Sequence, residues 1–172
     1  MSVVQLVQLA ERDLRDKRGM LGTPSEEVVD FGDAFQQVVD DLIETFMAHR
    51  IAIGLAAPQI GISKKFAVIN ISKDRKEPHI IIVNPVVAST SGKKDKKNES
   101  CMSLPGYAGE VERKEKMNVS YQDRHGKQQH RKVEGFLARV FAHEIDHLEG
   151  LLYVDRMGKD VKLQTTDIFN ND

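Results

Sequence analysis

The chain reads as a single α+β domain in which antiparallel sheets pack around a central helix carrying His143-Glu144-Ile145-Asp146-His147. Three observations predict this. A long helical stripe lies in the first third of the chain, a series of β-branched runs follows it, and a second helical stripe comes after them. At 172 residues the chain is long enough for one domain with a real core. No internal repeat interrupts it.

The first stripe is Phe35, Val38, Val39, Leu42, Ile43, Phe46 and Met47, whose spacing predicts a helix over 33–49. Residues 66–71 and 80–87 are rich in β-branched side chains and read as strands. Residues 119–122 and 128–133 read as a hairpin around Arg124-His125-Gly126. The folded domain is expected over 1–158, with 159–172 a short polar C-terminal tail.

The second stripe carries the chemistry. Phe136, Val140, His143 and His147 follow i, i+4, i+7, i+11 spacing, and Gly150 sits where the helix should stop. Four residues apart on a helix, the two imidazoles share one face and can share one metal ion. Glu144 projects beside them, within reach of a water on that ion. The pattern points to a metal-dependent hydrolase.

A third ligand is needed. The longer pattern H-E-x-x-H-x-x-G-x-x-H fails because position 153 is Tyr153, and Glu149 is too close on the same helix. Asp155, Asp160 and Asp167 stay open as carboxylate ligands. The better candidate is the lone cysteine, Cys101, in Glu99-Ser100-Cys101-Met102-Ser103-Leu104-Pro105-Gly106, a short turn-flanked segment following the lysine-rich loop Lys93 to Lys97. Two histidines and a thiolate would leave a fourth position open, as catalytic sites do. The thiolate is soft enough for ferrous iron or zinc.

Residues 52–59 (Ala52-Ile53-Gly54-Leu55-Ala56-Ala57-Pro58-Gln59) are small and apolar until they end in an amide. Gly54 allows a close backbone approach. Gln59 could donate its side-chain N–H to a developing oxyanion, a contact worth about 3 kcal/mol per donor in acyl transfer.

Together these segments resemble the peptide deformylase family, whose motifs are a glycine-containing segment ending in A-A-x-Q, then E-G-C-L-S, then Q-H-E-x-D-H-L-x-G. They occur in that order at Ala52 to Gln59, Glu99 to Ser103 and Ala142 to Gly150. Asn84-Pro85, Pro105-Gly106-Tyr107 and Asp155-Arg156-Met157 are also similar to the family. Four motif positions depart from it: Ala52 and Ser100 stand for glycines, Met102 for leucine and Ala142 for glutamine. Every residue that would touch the metal or carry a proton is retained.

The resemblance implies that Cys101, His143 and His147 hold one divalent metal ion, Fe2+ in the cell, with Zn2+, Ni2+ or Co2+ in purified protein. It implies that Glu144 moves the proton, while the Gln59 amide and the backbone N–H of Met102 meet the oxyanion. The substrates would be N-formyl-methionyl peptides, with formate released, in transient proximity to the ribosome. Ile53, Gly54, Ser100, Phe136 and Val140, with Met102, would line the peptide and methionine site. Ala52 and Ser100 flank that channel. A catalytically weak relative, binding peptides or acting on another small N-acyl group, is the alternative. The tail is too short for the longer C-terminal helix of some relatives.

Second-sphere roles are open in the sequence. Asp146 pairs with Arg113 or is a solvated carboxylate, and Glu99 supports the Cys101 segment or is an exposed acid. Tyr107, Arg139, His49, His79, His125 and His130 read as structural or surface residues.

Composition agrees. A formal net charge of −1 gives no general reason for nucleic-acid or membrane binding. Lys93-Lys94-Asp95-Lys96-Lys97 reads as a solvated loop. A single cysteine excludes an internal disulfide, and neither a signal-peptide pattern nor a membrane span is seen, so a bacterial or bacterial-type cytoplasm is expected.

Overall fold

The computed structural model describes residues 3–14, 18–72 and 74–168. Helix α1 (Asp33–Ala48) ends within a residue of the expected boundary. Strands β1 (Gly54–Ala56), β2 (Phe66–Ile69), β3 (Ile80–Cys101), β4 (Leu104–Gln122) and β5 (Gln128–Glu134) follow, then helix α2 (Gly135–Leu148) and the short β6 (Gln164–Thr165). All pairings among these strands are antiparallel and link them into one sheet, β1-β2-β3-β4-β5, with β6 on β4.

Strand β2 shows how the layers form. Successive side chains on a strand point to opposite faces. Phe66 and Val68 therefore pack with Leu42 and Phe46 of α1, while Ala67 and Ile69 pack with Phe141 and Leu148 of α2. Ile81 and Val83 of β3 likewise face α1, and Ile82 faces α2. Both faces are covered, which is why these strands read as continuous apolar runs. Full burial of each of the larger of these side chains contributes about 1.5–3 kcal/mol. A third cluster joins Cys101, Leu104, Val111, Leu152 and Tyr153 to Leu14 and Leu21 of the N-terminal segment.

Helix α2 ends as its sequence predicts. Gly150 has φ +72°, its N–H bonds to His147 O, and the Leu151 N–H bonds to Asp146 O at 2.8 Å, the two hydrogen bonds of a Schellman stop. A Cβ at residue 150 would also lie 2.6 Å from the backbone carbon of Thr23, so only glycine lets the N-terminal segment cross here.

The region between 88 and 101 differs from the sequence reading. Lys93 to Lys97 is not a solvated loop: it lies within the 22-residue β3, with Asp95 opposite Arg113 and Lys97 opposite Val111. Cys101 is correspondingly the last residue of a long strand, not part of a short segment. Cross-strand neutralisation explains the difference. Lys94 pairs with Glu112 at 2.6 Å and Lys96 with Glu110 at 3.5 Å, so sheet pairing overrides the weak strand propensity of lysine. The segment after residue 158 is tied back by β6, with Thr165 opposite Tyr107 and Gln164 opposite Ala108. The end of the expected tail, 169–172, lies outside the described residues.

Candidate metal centre and active site

On α2, His143 and His147 stand one turn apart, their ring centroids 5.0 Å from each other. The end of β3 brings Cys101 Sγ to 3.2 Å from His147 Nε2. One donor atom from each of Cys101, His143 and His147 falls within 4.8 Å of the other two, the one such cluster of potential metal donors among the described residues. Donors about 2.0–2.3 Å from a tetrahedral ion lie roughly 3.3–3.7 Å apart. The donor set and its spacing therefore fit one divalent ion with an open coordination position. Asp155 is occupied elsewhere, accepting from Arg18 and from the Leu152 N–H, while Asp160 and Asp167 are exposed.

Orientation comes from Glu99. Its Oε2 lies 3.0 Å from His143 Nδ1, which assigns the proton to Nδ1 and leaves Nε2 as the donor. Arg113 grips both carboxylate oxygens, at 2.6 and 2.8 Å, and Arg139 adds a third contact at 2.7 Å. Arg113 reaches on to Asp146 at 2.9 Å, and Arg156 closes the far side of Asp146. Of the readings left open, Asp146 is thus a paired, buried carboxylate and Glu99 is not an exposed acid. Burial alone would raise the Glu99 pKa, but hydrogen bonds from Arg113 and His143 outweigh it and hold the carboxyl well below its ordinary value.

Charge is also arranged at the donors. Burial pushes the Cys101 thiol up, yet the charge of His147 and hydrogen bonds from both imidazoles bring it well below its usual value. Burial works against protonated His143, and hydrogen bonds to Cys101 and Glu99 outweigh it. The same contacts favour the deprotonated sulfur, the form in which a cysteine binds a metal ion.

Glu144 is buried beside the donors. Burial raises its pKa to about 7, against the pull of His143 and His147. Its Oε2 has no hydrogen-bond partner among the described protein groups. The backbone of Gly54 backs the carboxylate so closely that a Cβ there would meet Glu144 Oε1 at 2.3 Å. Gln59 is held by the Ala56 N–H, which donates to Oε1 at 2.9 Å and so turns Nε2 towards Cys101 Sγ and Ser103 Oγ.

A cavity of about 240 Å³ opens over this group. Ile53, Gly54, Ser100, Phe136 and Val140 all line it, as do Gln59, Cys101, Met102, His143 and Glu144. His147 lies behind, buried. Ala52 lines the wall as well.

Three contributors were not read from the sequence as part of the site. Arg139, taken as structural or surface, is buried and holds Glu99; its place four residues before His143 on one helix face was the available signal. Tyr153 stacks on His143 with ring planes 15° apart. The N-terminal segment fixes three backbone carbonyls of the site: Val7 N–H donates to Gln59 O, Leu9 N–H to Ser103 O, and Gln8 Nε2 to Met102 O. No local pattern marks those contacts.

Two imidazoles, a thiolate and an adjacent carboxylate in one cavity define a metal-dependent hydrolase of the H-E-x-x-H kind. The sequence model of the polypeptide deformylase family matches residues 12–162. Similar proteins include a peptide deformylase of Lachnoclostridium phytofermentans, 40% identical over 154 residues, which span 89% of this chain and 93% of that one. Another, from Bartonella tribocorum, is 38% identical over 92% of this chain and 86% of its own. Among solved structures, a peptide deformylase from Legionella pneumophila aligns with TM-score 0.81 and 37% identity over 92% of this chain and 88% of that one. One from Synechococcus elongatus, in complex with actinonin, aligns with TM-score 0.80 and 36% identity over 91% of this chain and 80% of its own. The chain belongs to the polypeptide deformylase family. Among its described residues, no helix is long and apolar enough to cross a membrane.

Proposed function

We propose that the chain hydrolyses the N-formyl group of N-formyl-methionyl peptides, releasing formate, and that Cys101, His143 and His147 hold its metal. The observation that carries this reading is the unpartnered, buried Glu144 oxygen beside the Cys/His/His donors in one cavity. The thiolate favours a soft-tolerant divalent ion, and we assign Fe2+ in the cell, with Zn2+, Ni2+ or Co2+ able to take its place. Such an ion, when bound, polarises the formyl oxygen and acidifies water.

The rest falls to the chain. Glu144 takes the proton of the attacking water and returns it to the leaving methionine nitrogen. Its raised pKa suits that two-way exchange. Gln59 Nε2 and the Met102 backbone N–H meet the charge that develops on the formyl oxygen. The methionine side chain enters the apolar part of the cavity between Ile53, Met102, Phe136 and Val140. The peptide extends past Gly54 and Ser100. We place the reaction on newly made chains near the ribosome in a bacterial-type cytoplasm, in keeping with the bacterial relatives.

The test is formate release from an N-formyl-Met peptide by iron-loaded protein prepared without oxygen, with Glu144→Ala as control. Turnover that vanishes in the variant supports the assignment. Absence of turnover with one metal bound per chain overturns it in favour of a weak, peptide-binding relative.

A further inference from the structure

The mouth of the cavity is more apolar than a water-exposed rim needs to be. Ile51, Ile53 and Phe136 line it while exposing 49%, 38% and 50% of their surface. Single exposed apolar side chains are ordinary, but several around one opening mark a surface that binds something apolar. The fourth member comes from an unexpected place. Ile168, 46% exposed, lines the same cavity from the C-terminal segment.

That segment is anchored before it arrives. Leu163 packs against the cluster around Leu104 and Tyr153. Gln164 and Thr165 pair with Ala108 and Tyr107, and the Thr166 N–H donates to Gly106 O at 2.9 Å. The Ile168 N–H then donates to Thr166 Oγ1 at 3.2 Å, turning the chain on itself. Three successive attachments thus deliver one large apolar side chain to the rim.

We propose that Ile168 is a specificity-determining residue, completing with Ile51, Ile53 and Phe136 an apolar collar that selects formyl peptides with an apolar side chain just after the methionine. This rests on the deformylase reading above. The methionine passes the inner edges of Ile53 and Phe136 to fill the depth of the cavity beside Val140 and Met102, so the exposed outer edges of these two, with Ile51 and Ile168, are left for the second side chain of the peptide. Contacts at a half-exposed rim act on substrate and transition state alike, so selection appears in KM and not in kcat.

The experiment compares kcat and KM for N-formyl-Met-Leu and N-formyl-Met-Ser peptides in the wild type, Ile168→Ser and Ile168→Lys proteins, with N-formyl-Met-Glu as a third substrate. The wild type should prefer leucine over serine, and Ile168→Ser should reduce that ratio by about fivefold through KM. Ile168→Lys should raise the glutamate-to-leucine ratio, a gain that a misfolded protein cannot mimic. Unchanged ratios in both variants, with an active wild type, overturn the collar and leave the deformylase reading standing. A wild type inert towards all three peptides removes that reading and the collar with it.

Discussion

Gly54 and Glu144 touch so closely that residue 54 can carry no side chain without moving the carboxylate, since a Cβ would sit 2.3 Å from Glu144 Oε1. The contact is between a backbone on β1 and a side chain on α2. It fixes how far Glu144 stands from the donors on its own helix.

Gly54→Ala is therefore expected to displace Glu144 and lower kcat by roughly 100-fold, because misplacing a proton-transfer group by about 1 Å costs that much. Metal content, measured by elemental analysis, should stay near one per chain. A variant with wild-type kcat would show that Glu144 is not held by this contact.

Glu99→Gln should do the opposite, harming the metal more than the proton. The Glu99 carboxylate answers Arg113, Arg139 and His143 together, so its loss removes the shared counter-charge of two buried guanidinium groups, leaving Arg113 with Asp146 and Arg139 with Asp95 at 3.8 Å. We expect about 3–5 kcal/mol of destabilisation and roughly 10- to 100-fold weaker metal binding. Chelator competition and denaturant unfolding separate the two effects. Wild-type metal affinity in the variant would remove Glu99 from the orientation of His143.

Glu144 makes stability depend on pH in a defined direction. Its folded pKa is raised from 4.5 to about 7, chiefly by burial. A raised folded value stabilises below the unfolded pKa, and that contribution is lost as pH climbs through the folded one. Metal-free wild type should thus lose ground to metal-free Glu144→Gln between about pH 5 and about pH 8. Thermal melts of both proteins check it, and their other groups largely cancel in the difference. Loading the cation should shrink the gap, because positive charge favours the carboxylate.

Ser100 lines the cavity where the family's motif has glycine. Removing its side chain should widen the peptide channel, and Ser100→Gly is expected to raise kcat/KM by on the order of threefold. It also places glycine in β3, costing about 0.5–1 kcal/mol or about 2 °C in Tm. Equal or lower kcat/KM would mean that the serine is accommodated or bonds the peptide itself.

Much of this site was legible because its chemistry is written in short local patterns. His143, Glu144 and His147 are set by helical spacing alone, and Gly150 by the stop at the helix end. Both faces of β2 being buried made 66–69 readable as a strand. Lys93 to Lys97 was not readable as one, because the charges that allow it into β3 belong to Glu110 and Glu112 on the neighbouring strand. Arg139 was missed for the same reason: its partner Glu99 is 40 residues away in the chain. The tail looked like a polar end because β6 is only two residues long, and its anchor is the open edge of β4. In each case the deciding partner is distant in sequence.

The pairing of Cys101 with His147 spans 46 residues and that of Gln59 with Cys101 spans 42. Closing such loops costs entropy, so the site is assembled by the tertiary fold and not by local structure. A chain leaving the ribosome has its thiol exposed well before the second histidine exists to answer it. During that interval Cys101 is an ordinary oxidisable sulfur, and only the finished sheet, with α2 laid across it, shelters the thiol. How well a preparation excludes oxygen while the protein is being made should therefore matter as much as how it is stored.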